Sequence, residues 1–372
     1  MQALDFLSAL SSDFFTGVPD SLLNPLCVAL QEQYGQDPRH HIIGANEGSC
    51  AALAAGYYLS TGKVPVIYLQ NSGEGNLVNP LVSLLHPRVY GIPALLIIGW
   101  RGEPGVRDEP QHAFQGEVTL PLLDTLGIPH SILSPQSTPD EVRQALETFR
   151  PFLEKGQCAA FVIRRGTFQH TSSWSSPNTC SMMRESVLET LLDCCGNAHL
   201  VCTTGKASRE LFEIRERRNQ GHGMDFLTVG SMGHASSIAL SLALQNPHLS
   251  ICCIDGDGAA LMHLGAMAVI GQSRPRNLRH ILLNNGCHES VGGMPSAGFS
   301  VHWPDLALAC SYRSAWSVSR AEDLAPAFRE CFQTEGPCFL EVRCATGSRK
   351  DLGRPTTSPA ENRDLFTRSL KS

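Results

Sequence analysis

Residues 256–285 read GDGAALMHLGAMAVIGQSRPRNLRHILLNN: a Gly-Asp-Gly and an Asn-Asn, separated by an amphipathic stretch and a second apolar run. The apolar run at 249–254 predicts a strand. A strand ending in Gly-Asp-Gly lets backbone amides approach a phosphate closely while Asp257 supplies a hard oxygen ligand. A right-handed crossover then returns the chain through 279–283, parallel to the first strand. Asn284 and Asn285 therefore emerge at the same carboxyl edge as Asp257, in the crevice where open parallel sheets bind ligands. Mg²⁺ suits such a place, because it takes octahedral oxygen coordination from a carboxylate, an amide, backbone carbonyls and phosphate. Gly-Asp-Gly alone also marks a tight turn; the Asn-Asn one β-α-β length later favours the metal.

Further apolar runs lie at 64–69, 94–98, 159–163, 199–202, 280–283 and 338–342, with helical stretches between them. This alternation predicts an α/β fold with mainly parallel sheets flanked by helices. A chain of 372 residues is too long for one ordinary core and fits two domains. Residues 167–183, TFQHTSSWSSPNTCSMM, follow neither period and read as a connection. The expected division is a first domain at 1–168, a linker at 169–184 and a second domain at 185–372, with no middle domain. Part of the polar, proline-punctuated tail from residue 345 is expected to be mobile or to drape over a neighbour.

A net charge of -6 argues against a nucleic-acid surface, which needs a basic stripe. No apolar run has membrane-spanning length. The first residues, MQALDFLSALSSDFF, contain an early Asp and no Arg, unlike a signal or transit peptide. Fourteen cysteines lack paired zinc spacing, and several, such as Cys252 and Cys253, sit inside apolar runs. They read as reduced, buried thiols of a cytoplasmic protein.

The GDG…NN segment resembles the cofactor signature of the thiamine diphosphate-dependent enzymes. A second resemblance lies in the first half, where NEGSCAALAAGYYLSTGK and LQNSGEGN are similar to the pyrimidine-binding half of that family. The resemblance implies two similar domains, one for the pyrimidine and one for the diphosphate. It implies thiamine diphosphate and Mg as cofactors, with Asp257, Asn285 and the Cys287 carbonyl on the metal. Glu47, at the start of a helix expected from about 49 to 59, becomes the acid that meets the aminopyrimidine; by itself it is also an ordinary helix N-terminal acid. Asn71, Ser72 and Gly73 would line the cofactor in one half. In the other half Thr204, Gly205, Gly230, Met232, Gly256 and Gly258 would do so.

The strings FFTGVPDSLL, IIGWRGEPGVRDEPQH, TTGKASREL, DFLTVGSMGHASSIAL and NNGCHESVGGMPS extend the resemblance to thiamine-dependent 2-keto acid decarboxylases that act on 3-phosphonopyruvate, releasing phosphonoacetaldehyde and carbon dioxide. On that resemblance Asp20 and His112 join Glu47 as catalytic candidates. Arg101, Arg107, His288 and Ser290 are the candidate donors to the anionic substrate, since charge-assisted hydrogen bonds suit carboxylate and phosphonate. Glu289 and Met294 depart from the pattern, which has Asp and Gln there. The rival readings are a sulfopyruvate decarboxylase, a carboligase similar to acetolactate synthase, and an inactive cofactor-binding paralogue. The family's habit of building sites across subunits implies self-association as a dimer or larger.

Overall fold

The computed structural model describes every residue except Gln36, Thr171, Ser173, Ser175 and Ser372. It divides into two compact units, the first comprising Met1–Ser175 with Val291–Met294 and the second Ser176–Ser290 with Pro295–Ser372.

The first unit holds six strands: β1 (Phe15–Gly17), β2 (His41–Ile43), β3 (Val66–Gln70), β4 (Leu95–Gly99), β5 (His130–Leu133) and β6 (Ala159–Ile163). They pair in parallel in the order β2-β1-β3-β4-β6-β5. Every residue of β4 and β6 is buried, as a parallel strand covered on both faces requires. Phe6, Leu26, Leu30 and Phe149, from three helices, close one face over Val66, Tyr68, Leu95 and Phe161. Chain order reverses between β1 and β3, which puts the crevice of this unit at the carboxyl ends of those two strands.

The second unit repeats the scheme with β7 (His199–Cys202), β8 (Asp225–Leu227), β9 (Ile251–Gly256) and β10 (Leu278–Asn284). Two two-residue strands, β11 (Cys287–His288) and β12 (Met294–Pro295), precede β13 (Ser314–Val318) and β14 (Cys338–Arg343). The six longer strands run parallel in the order β13-β14-β10-β9-β7-β8. Strand alternation divides β9 between two cores. Cys252 and Ile254 meet Leu188, Leu211 and Phe328 on one face. Ile251 and Cys253 meet Ala239, Ile270 and Trp303 on the other. Both cysteines are fully buried free thiols, raised far above their ordinary pKa by burial. The register sets Leu283 of β10 against Gly256 of β9, so the two ends of the signature leave the sheet side by side.

The tail differs from its expectation. Ser358 and Glu361 form a reciprocal capping box that starts the helix Pro359–Ser369. Asn362 accepts from the Leu227 amide at 3.0 Å and donates to the Asp225 carbonyl at 2.8 Å, completing the open edge of β8. Phe366 is buried against His199 and Phe226. The tail thus closes its own unit. Polar composition concealed this because one carboxamide and one ring do the docking.

Of the expected linker, Thr171, Ser173 and Ser175 lie outside the described residues, and Asn178 donates to the Asn285 and Cys344 carbonyls, each at 2.9 Å.

Candidate functional site

In the first unit Glu47 opens the helix Glu47–Thr61, where the Asn46 side chain caps the Gly48 amide at 2.8 Å. Glu47 is 5% exposed, and burial raises its pKa against the opposing hydrogen bond from Asn76 Nδ2 at 2.7 Å. Gly73 packs directly on this carboxyl; a Cβ there would overlap Oε1, so only glycine permits the approach. Beside it, Gln70 Nε2 donates to the Ser72 hydroxyl at 2.6 Å.

Asp20 follows β1 and is wholly buried. Its Oδ2 accepts from the Leu22 and Leu23 amides at 3.1 and 3.3 Å, while Oδ1 has no partner among the described residues. Burial pushes the acid up to about 6 against the pull of Arg101 and the amides. A carboxyl in that range exchanges protons near neutrality.

The loop after β4 is held together by Arg101. Arg101 Nε donates to Asp108 at 2.8 Å, Nη2 to the other Asp108 oxygen at 2.5 Å, and Nη1 to Ser21 at 2.9 Å. Burial would raise Asp108, but Arg101 and the Glu109 and Gly102 amides outweigh it and hold the acid well below its usual range. Arg101, expected to meet substrate, is thus engaged in shaping its loop. Asn71, expected at the cofactor, has the same occupation: its carboxamide pairs with the Arg101 backbone in both directions, at 2.8 and 3.1 Å, and with Thr119 at 2.9 Å. Arg107 is exposed. His112 is buried, its Nδ1 without a partner among the described residues. Burial and the Arg101 charge lower its pKa, keeping the ring neutral.

In the second unit Asp257 follows β9 and is 3% exposed. Burial raises its carboxyl to about 6, opposed by Ser296 and by the amides of Asp257, Asn285 and Gly258. Asn285 Nδ2 donates to Glu289 at 2.7 Å, and Asn285 Oδ1 accepts from the Cys287 amide at 3.2 Å. Asn284, fully buried, ties Gly298 and Glu341 together instead. Across the crevice, Thr203 and Thr204 leave β7, and the Thr204 hydroxyl donates to the Val229 carbonyl at 2.8 Å, one residue before Gly230. The Met232 methyl and the His288 ring both lie against Gly258. His288 is buried, which pushes it down to about 4 and leaves it neutral. Ser290 abuts Gly205. The arrangement gathers one desolvated carboxylate, one oriented amide and glycine-flanked amides at one sheet edge, a donor set suited to a hard cation beside a phosphate.

Residues 2–125 match the thiamine pyrophosphate enzyme N-terminal TPP binding domain and residues 203–342 the C-terminal TPP binding domain. The chain is 35% identical to the phosphonopyruvate decarboxylase of Streptomyces viridochromogenes, over 95% of this chain and 90% of that protein. The Streptomyces hygroscopicus phosphonopyruvate decarboxylase is equally similar over the same shares. The chain belongs to the thiamine pyrophosphate-dependent 2-keto acid decarboxylases. A sulfopyruvate decarboxylase of Methanosarcina acetivorans is more distant, at 27% identity over 87% of this chain and 86% of that protein. No helix among the described residues is long and apolar enough to cross a membrane.

Several groups of this decarboxylase escaped the sequence reading. Ser296 reaches Asp257 from a separate loop, and Asn178 reaches the Asn285 carbonyl from the presumed linker. Glu74, inside the SGEGN turn, is 4% exposed with neither carboxyl oxygen hydrogen-bonded among the described residues. Burial pushes it up to about 8; Thr119 and Gln115 stand close enough to oppose the shift, without hydrogen bonds of ordinary geometry. A charged residue in a glycine turn ordinarily faces water, so no pattern distinguishes this one.

Proposed function

We propose that the chain decarboxylates 3-phosphonopyruvate to phosphonoacetaldehyde and carbon dioxide, using thiamine diphosphate and Mg²⁺. The observation that carries this choice is the contrast between relatives: 35% identity over 95% of the chain to phosphonopyruvate decarboxylases against 27% over 87% to a sulfopyruvate decarboxylase.

Asp257, Asn285 Oδ1 and the Cys287 carbonyl would hold the metal. The fit rests on Asp257, a buried carboxylate whose desolvation a divalent cation would offset. Amides at Gly256 and Gly258 and the Thr204–Gly205 turn would meet the diphosphate, the Gly230 carbonyl and Met232 the rings. When bound, thiamine diphosphate supplies the sink for the electron pair released with carbon dioxide. Glu47, with Ser72, Gly73 and the Asn71 turn beside it, would meet the pyrimidine and exchange a proton with it through a carboxyl whose pKa burial raises. Asp20, at about 6, can return a proton to the product, and neutral His112 can accept or relay one. Arg107, His288 and Ser290 remain the donors for the substrate's anionic groups, with Arg101 fixing the loop through Asp108.

Self-association as a dimer or larger, with sites shared between copies, is part of the reading. A monomer with full activity would remove that part.

The experiment is carbon dioxide and aldehyde release from 3-phosphonopyruvate, sulfopyruvate and pyruvate, with thiamine diphosphate and Mg²⁺. Turnover of phosphonopyruvate is expected, reduced by roughly 10²–10⁴-fold in Glu47→Gln, the usual scale for removing a general acid–base group. Preference for sulfopyruvate would move the enzyme to the other branch, and cofactor binding without turnover would make it an inactive paralogue.

A further inference from the structure

We propose that Glu289 is a positioning residue for the metal site, clamping the Asn285 carboxamide so that its oxygen, and not its nitrogen, faces the cation. The inference rests on the proposed cofactor reading.

The geometry begins with what Glu289 touches. Its Oε2 receives Asn285 Nδ2 at 2.7 Å and Arg184 Nη1 at 2.6 Å, and its Oε1 receives Lys206 Nζ at 2.9 Å. Two cations keep this side chain a carboxylate, which can only accept hydrogen bonds. An acceptor on one side of Asn285 demands the NH₂ there. The Cys287 amide, a donor at 3.2 Å, demands the oxygen on the other. These two neighbours select one of the carboxamide's two flipped states, and the second lone pair of the Asn285 oxygen meets only the Cys287 thiol at 3.5 Å, a weak donor that a metal would displace. A hard cation has no use for an amide nitrogen, so a flip would delete a ligand.

Glu289 is itself held from two helix starts. Arg184, the first residue of the helix Arg184–Cys194, makes a bidentate pair with buried Glu210, both contacts at 2.7 Å, leaving Nη1 for Glu289. Lys206, the first residue of the helix Lys206–Arg217, approaches from the turn after β7. At that turn Gly205 adopts φ +102, and an added Cβ would press on Ser290 Oγ, the residue after Glu289. The clamp therefore joins the loop after β10 to the turn after β7, two segments on either side of Asp257's strand. With two cations set against Glu210 and Glu289, its charges balance without the metal, and it can be preformed. Partners behind metal ligands commonly matter by 10- to 100-fold in metal affinity.

The test is Mn²⁺ titration followed by electron paramagnetic resonance with thiamine diphosphate present, beside thermal unfolding of the metal-free protein. In Glu289→Ala the Mn²⁺ dissociation constant should rise at least tenfold. Glu289→Gln retains the size and fold but can present either amide group to Asn285, so it should weaken Mn²⁺ at least about threefold even if the alanine variant folds poorly. A lowered melting temperature with Mn²⁺ affinity within twofold of wild type in the folded variants would make Glu289 a structural ion-pair partner and overturn the proposal. Failure of the wild type to bind Mn²⁺ with thiamine diphosphate would instead overturn the cofactor reading, and the clamp with it.

Discussion

Replacing Glu74 by Gln should change the pH dependence of folding stability more than any property of the chemistry. The Glu74 carboxyl has an ordinary value of 4.5 and is pushed by burial to about 8 in the folded protein. Folding therefore favours the protonated acid, and the unfolded chain binds fewer protons between those values. Its contribution is fully present below about pH 4.5 and declines as pH rises, levelling off only above about pH 8. At about 1.4 kcal/mol per pK unit, the wild type should lose about 2.5 kcal/mol from this group between pH 5 and pH 7. Glutamine does not titrate and should lose none of it. Asp20 and Asp257, both raised to about 6 by burial, add slopes of the same sign that are common to the two proteins and cancel in the comparison. Urea unfolding of wild type and Glu74→Gln, without cofactor, should show the variant gaining relative stability by that amount from pH 5 to pH 7. A stability difference that stays constant across this range would refute the buried, protonated Glu74.

Asp20→Asn should lower kcat by about 10²-fold or more, the scale for a lost proton donor, while leaving Mn²⁺ affinity intact; an unchanged kcat would exclude Asp20 from proton transfer. Mn²⁺ with thiamine diphosphate at 100 times the dissociation constant should raise the wild-type unfolding free energy by about 2.7 kcal/mol. Asp257→Ala should show no such gain in the same denaturant titration, and an equal gain would place the metal elsewhere. Asn362→Ala leaves the Leu227 amide and Asp225 carbonyl without their partner, at about 2 kcal/mol by urea unfolding. A loss below about 0.5 kcal/mol would mean that the tail helix does not hold the β8 edge.

The sequence alone determined the α/β class and the relation between the two ends of the signature. A strand, a crossover helix and a parallel strand have one favoured hand, and the observed register sets Leu283 beside Gly256. That Glu47 stands at a helix start and Gly73 in a glycine turn was legible for a similar reason, because both are local features. Of the longer strands, β1, β5, β8 and β13 were not read as strands. β1 and β8 span three residues each, only Leu133 of β5 is buried, and β13 contains exposed Ser317, so no sustained apolar period marks them. What only the tertiary structure decided is which partners surround each polar group. Arg101 and Arg107 stand in one loop with similar chemistry, yet one is locked to Asp108 and the other is exposed. Glu74 and Glu289 differ by environment alone. The first is buried without hydrogen-bond partners among the described residues; the second is fixed by Arg184 and Lys206, whose numbers lie about a hundred residues away. Desolvation and long-range pairing set the charge of a carboxyl, and neither is written in the residues adjacent to it.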